Sequence, residues 1–147
     1  MAYISNNDIQ TRLGSAVYVQ LTDDAGTGSA NEAVVDEARA GAEGEVDGYL
    51  ARRYSVPIDL VTHPELAGLL KSITLDLAEY RLRLRRPPVS DEAVQRRKQA
   101  TAWLQKVASQ DVDLPAKTEP APSERSALKG RVLGSARVLD REEFSDF

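Results

Sequence analysis

Along most of this chain the apolar residues recur at three- and four-residue intervals, the spacing that places them on one face of a helix. The most regular run is Leu66, Leu70, Ile73, Leu77, Tyr80 and Leu84, spaced 4-3-4-3-4. Such a seam predicts a helix over about 64–86. Leu69 and Ala78 widen the stripe, which makes it a bundle helix rather than a bare coiled-coil strand. Thr62 and Glu65 stand at capping-box spacing, Pro64 suits a first turn, and Pro87-Pro88 ends the element. Upstream, Val34, Ala38, Ala42, Val46 and Leu50 recur every fourth residue, widened by Val35 and Tyr49. They predict a helix from Ser29–Asn31 to about Tyr54, with Pro57 closing the link that follows. Gly41, Gly44 and Gly48 lie in this stretch, each costing about 1 kcal/mol against alanine in a helix interior. Close packing accounts for them, or else a kink.

Downstream of the double proline, Ser90 is a natural cap and Asp91-Glu92 suit a first turn. Val94, Ala100, Trp103, Leu104 and Val107 then define one more helix, fading near Gln110. At the other end, Ser5 or Asn6 caps a short helix over 6–13 that carries Ile9 and Leu13 and stops at Gly14. Val17-Tyr18-Val19-Gln20-Leu21 has β-favouring residues, and the polar, glycine-rich stretch 22–29 reads as a loop. The expected fold is all-α, a small bundle of about four helices over residues 1–110. Residues 111–147 have a different texture: Pro115, Pro120 and Pro122 in a stretch with few large apolar residues, then Leu128, Val132, Leu133, Val138, Leu139, Phe144 and Phe147. That reads as a linker followed by an extended C-terminal docking arm, too short to fold alone and too apolar to be meant for solvent.

Composition narrows the function. The chain has no cysteine, a single histidine (His63) and a net charge of −4. Disulfides, thiolate chemistry and cysteine-type zinc sites are excluded. No apolar run is long enough to span a membrane, and the N-terminus has no apolar signal core, so the protein reads as intracellular when made. The charge is segregated. Residues 1–80 hold 13 acidic and 5 basic side chains, whereas residues 81–106 hold 2 acidic and 8 basic.

The search for chemistry yields no catalytic, cofactor-binding or metal-binding set, and no enzyme activity is expected. Asp23-Asp24 fits a surface turn better than a carboxylate pair. Glu43, Glu45 and Asp47 alternate faces of a helix and do not converge. His63 precedes Pro64 at a helix start, an ordinary place for a polar residue. Gly26-Thr27-Gly28-Ser29 lacks the lysine of a phosphate loop. The candidate binding residues are therefore Arg81, Arg83, Arg85, Arg86, Arg96, Arg97 and Lys98 around the Pro87-Pro88 turn, together with Leu128, Arg131, Val132, Leu133, Arg137, Val138, Leu139, Phe144 and Phe147 in the arm. Three readings of the basic cluster stand. It faces an acidic partner surface, including segment 23–47 of a neighbouring copy. It is an ordinary basic helix C-terminus. Or it contacts DNA phosphates. No aromatic residues interleave with the arginines, which weighs against single-strand stacking.

Several stretches resemble the Mu-like phage head–tail adaptor family. The opening Met1-Ala2-Tyr3-Ile4 and the run from Leu13 to Asp23 are similar to that family's start. Ala42-Glu43-Gly44-Glu45-Val46-Asp47-Gly48-Tyr49-Leu50-Ala51-Arg52-Arg53-Tyr54, followed by Val56-Pro57, resembles its most recognisable segment. Asp76 to Leu82, Ala102-Trp103-Leu104 and the ending Arg137 to Phe144 also fit. The resemblance implies a structural virion protein of the neck, a connector in a twelve-fold homo-oligomeric ring below the portal. It further implies a stopper or tail-terminator protein as the other partner, and DNA passing through the lumen. The alternative is a DNA-binding helical module of packaging or regulation that uses Arg81–Lys98.

Overall fold

A computed structural model describes residues 2–116. Among the described residues there are five α-helices, one 3-10 turn and no strand. Helix α1 (Asn6–Leu13) begins at Ser5, whose hydroxyl accepts from the Asp8 amide while the Asp8 carboxylate reaches back to the Ser5 N–H. Gly14 then takes φ +80, a backbone state that costs other residues steric strain, and the chain turns straight into α2 (Ser15–Thr22). The run Val17–Leu21 is thus helical despite its β-favouring residues. Tyr18, Leu21 and Thr22 meet the core from one face, and the Thr22 hydroxyl donates to the Tyr18 carbonyl. Burial of that face outweighs an intrinsic preference of a few tenths of a kcal/mol per residue, roughly a tenth of what a buried Leu contributes. The bundle therefore has five helices where the spacing suggested four.

Helix α3 (Glu32–Leu50) starts at Asn31, whose side chain accepts from the Ala33 amide. Val35, Ala38, Ala42, Val46 and Leu50 are buried, and Val34 and Tyr49 are half-buried. The helix stops four residues short of Tyr54, and residues 51–53 form turns. Of its glycines only Gly41 is crowded: a Cβ there would lie 2.9 Å from an Arg81 guanidinium nitrogen, whereas Gly44 and Gly48 face open space. Their presence in the helix has no packing explanation.

Helix α4 (Ala67–Leu84) follows a 3-10 turn at Pro64–Leu66. The capping box expected of Thr62 and Glu65 does not form. The Thr62 hydroxyl donates to Asp59, which holds the preceding turn, and Glu65 faces the His63 ring. α4 is the central element and packs on α1, α2, α3 and α5. Leu70 and Leu77 of the seam are fully buried. Near the C-terminal end the buried position passes from Leu84, which is 52% exposed, to Leu82, which is fully buried. A straight helix drifts against a 3.5-residue repeat and rotates Leu84 outward. Helix α5 (Asp91–Ala108) is capped by Ser90 as expected and buries Ala93, Ala100, Leu104 and Val107; Trp103 is only half-buried.

Beyond α5, Leu114 is buried and its amide donates to the Tyr54 hydroxyl at 2.8 Å. Arg53 donates to the carbonyls of Val107 and Val112, both at 3.1 Å, and pairs with Asp113. Residues 111–116 thus lie along the bundle; the arm positions from Leu128 to Phe147 lie outside the described residues. No helix among the described residues is long and apolar enough to cross a membrane.

Leu77 contributes a full side chain to the centre of this core. Leu77→Ala should destabilise the protein by about 2–5 kcal/mol, read from a chemical denaturation midpoint. A midpoint unchanged within error would contradict the central place of α4.

Candidate interaction surface

The basic residues fall on two neighbouring helix ends. Arg81 and Arg83 lie in the last turn of α4, Arg85 and Arg86 just beyond it, and Arg96, Arg97 and Lys98 in the first half of α5. The six arginines all engage acceptors of the same chain. Arg81 pairs with Glu45 at 2.9 Å, and Arg97 reaches the same carboxylate at 3.4 Å while lying 4.6 Å over the Tyr80 ring. Arg85 donates to the Leu21 carbonyl at 2.8 Å and pairs with Asp24. Arg86 donates to the Asp23 carbonyl at 2.9 Å and also touches Asp24. Acidic segment 23–47, one candidate partner when supplied by a neighbouring copy, thus meets the cluster within the subunit. Lys98 is exposed and makes no ion pair among the described residues.

Arg83 and Arg96 converge instead on Glu79, a carboxylate only 4% exposed. Arg83 Nε approaches it at 2.8 Å, and Arg12 Nε and Arg96 Nη1 each at 3.3 Å, so α1, α4 and α5 meet at one anion. Arg96 also pairs with Glu92, one turn back on its own helix. Arg12 reaches Asp76 at 2.5 Å. Burial nonetheless raises the Asp76 carboxyl, outweighing the guanidinium charges of Arg12 and Arg96. Nearby, Lys71 pairs with Asp8 at 2.6 Å. That contact, with the Ser5 amide, lowers the Asp8 carboxyl to about 2.

Sequence reasoning missed a second set of ties. Glu43 and Asp47, one turn apart on α3, hold the N-terminal segment from the face opposite Glu45. Glu43 Oε1 accepts from the amides of Tyr3 and Ile4, at 2.9 and 3.3 Å. The Tyr3 hydroxyl donates to Asp47 at 2.6 Å and accepts from the Ile58 amide at 2.9 Å. Burial, reinforced by the hydrogen bond to Asp47, pushes the Tyr3 phenol well above its usual range. Burial likewise pushes Tyr18 up to about 12, with Glu32 nearby as a second cause. The available signal was the i,i+4 spacing of Glu43 and Asp47; their partner lies 40 or more residues away. Asp23, by contrast, sits in the surface turn expected of it, accepting from the amides of Thr27 and Gly28, which lower its pKa.

With this geometry in place, comparison adds two findings. A family model described as Bacteriophage Mu, Gp36 matches residues 3–131. No curated protein matches the chain.

Two outcomes follow from the ties. A phenol raised in the folded state favours folding below the unfolded value near 10, and that contribution is lost as pH rises toward the folded value. For Tyr18 the window is about 10 to about 12. Tyr3→Phe leaves the buried Ile58 amide without its acceptor and should cost roughly 1–3 kcal/mol at neutral pH. It should also flatten the loss of stability above pH 10, and equal alkaline slopes for both proteins would contradict the assignment. The double variant Arg85→Glu, Arg86→Glu should stay folded with its Tm lowered by a few degrees at most, because these pairs are partly exposed. The deficit should shrink as salt is added, and a deficit insensitive to salt would mean that lost packing, not charge, is responsible.

Proposed function

Since the chain belongs to the Bacteriophage Mu Gp36 family, we propose that it is a non-enzymatic structural protein of the virion, a connector subunit in the neck that joins head to tail. Family membership is the observation that carries this reading. In it, the bundle assembles as a twelve-fold ring below the portal, with a stopper or tail-terminator protein on the other side and DNA in the lumen. Closed rings need heterologous contacts, in which one patch of a subunit meets a different patch of the next. A rigid bundle suits that task, and its all-helical form agrees with it. With residues 111–116 held on the bundle, the arm from residue 117 onward would add reach toward the portal or an adjacent subunit, with Leu128, Val132, Leu133, Val138 and Leu139 as its apolar contacts.

The internal pairing of the arginines bears on the rival reading. A phosphate at Arg81, Arg85 or Arg96 has to compete with Glu45, Asp24 or Glu79. That lowers the gain from each contact, although Lys98 and the exposed edges of the guanidinium groups still face solvent. A DNA-binding module therefore ranks second.

The decisive measurement is the mass of the purified protein alone and after mixing with its portal, by light scattering or native mass spectrometry. The expected result is a discrete complex carrying a ring of this subunit on the portal. No complex, together with salt-dependent retention on duplex DNA, would replace the connector with the rival.

A further inference from the structure

Helices α3, α4 and α5 border a groove of about 320 Å³. Its lining combines the rings of Tyr49 and Tyr80 and the apolar Val94 with Arg97 and Lys98. Glu45, also at the groove, is already engaged by Arg81 and Arg97. Lys98 has no ion partner among the described residues, and Arg97 is pinned against the Tyr80 ring. The site therefore asks for an occupant of particular chemistry: an aromatic side chain to lie on the tyrosines and Val94, with a carboxylate beside it for Lys98.

The chain contains such a segment outside the described residues. Residues 140–147 read Asp-Arg-Glu-Glu-Phe-Ser-Asp-Phe, with both phenylalanines of the protein and four carboxylates against one arginine. Each phenylalanine has an acidic residue within two positions, Glu143 beside Phe144 and Asp146 beside Phe147. Charge and aromatic character thus agree between groove and segment.

We propose that residues 140–147 of one copy dock in the α3–α4–α5 groove of a second copy, with Phe144 against Tyr49 and Tyr80 and Glu143 on Lys98. The 24 residue steps from Ala116 to Asp140 can extend to roughly 80 Å at about 3.3 Å each. A domain of about 100 residues has a radius of gyration of only about 13 Å, so the segment can leave its own subunit. One segment and one groove per copy make a contact that repeats head to tail and closes into a ring at the right angle. In that respect the proposal deepens the connector reading and rests on it.

The test uses full-length proteins and a fluorescent peptide of residues 138–147. The first protein carries Phe144→Ser and Phe147→Ser, which removes its own segment as a competitor. The peptide should bind it saturably. Adding Lys98→Glu should weaken that binding at least about tenfold, as expected for a reversed charge. A peptide with Glu143→Lys should recover most of the loss, which a merely structural effect of Lys98→Glu would not allow. Dilute monomeric wild-type protein should bind the peptide as well as the first variant does. No saturable binding, or binding indifferent to Lys98→Glu, overturns the proposal. A wild-type groove closed to peptide while the protein is monomeric also overturns it, because the segment then occupies its own subunit. Portal binding is read separately. Peptide binding without a portal complex removes the connector reading and keeps the groove contact; a portal complex without peptide binding does the reverse.

Discussion

A carboxylate buried as deeply as Glu79 stays in a protein interior only when cations surround it. The three guanidinium groups that do so come from α1, from its own helix α4 and from α5. This anion therefore specifies how three helices sit around α4, where leucine packing alone would tolerate other arrangements. It also commits Arg83 and Arg96 to an internal role. The arginines themselves remain about a third exposed, with side-chain accessibilities of 30% and 34%, so their outer edges are hydrated while their inner edges are engaged. Removing the glutamate would release cations that water can solvate. Removing one arginine would leave a buried charge less well neutralised, which is the costlier defect.

The same logic divides the rest of the charge. Part of the acidic N-terminal half is matched to the basic centre within the subunit. Asp24 and Glu45 draw the loop after α2 and the middle of α3 onto the end of α4, which explains why the charge is segregated along the sequence but interleaved in space. A surface built this way offers alternating signs to a neighbour. Two copies brought together through such a surface, as in the proposed ring, would rely on register rather than on net attraction.

How much of this was legible follows from the range over which each interaction acts. The α4 seam and the Ser90 cap are local patterns, and both were readable because the partners lie within one or two turns. The Thr62–Glu65 pattern was equally local and misled, since Asp59 competes for the Thr62 hydroxyl from three residues upstream. Residues 17–21 misled for a different reason: their helical state is set by the turn at Gly14 and by burial against the core, neither of which β-propensity contains. The candidate arginines were found by composition; Glu79 stands at i,i+4 to Arg83 on the same helix, yet nothing in the spacing could reveal it as the partner of Arg12 and Arg96, or Asp24 as that of Arg85. Arg12 and Glu79 lie 67 positions apart. Charge pairing over such distances is a property of the packed bundle, and the sequence shows only that both signs are present.

The segment from Ala42 to Pro57, the most recognisable part of the family resemblance, turns out to be where the two ends of the described chain are tied down. Its first half holds the N-terminus through Glu43, Asp47 and Tyr3, and the Tyr3 hydroxyl passes the constraint on to Ile58. Its second half holds the far end: Tyr54 accepts from Leu114, and Arg53 grips two carbonyls and Asp113. Leu114 is buried against this anchor. Whatever the remaining residues reach, they start from a fixed point, because Ala116 lies against the bundle beside Ile58 and His63. A tether that starts from a rigid point searches a smaller volume than one that starts from a frayed end, and so presents a higher effective concentration to a neighbouring site. That gives residues such as Tyr3, Tyr54 and Arg53 a purpose beyond the stability of the bundle. If the C-terminal segment docks as proposed, they would set the position from which it is delivered, and damage to them would alter that docking even in a subunit that still folds.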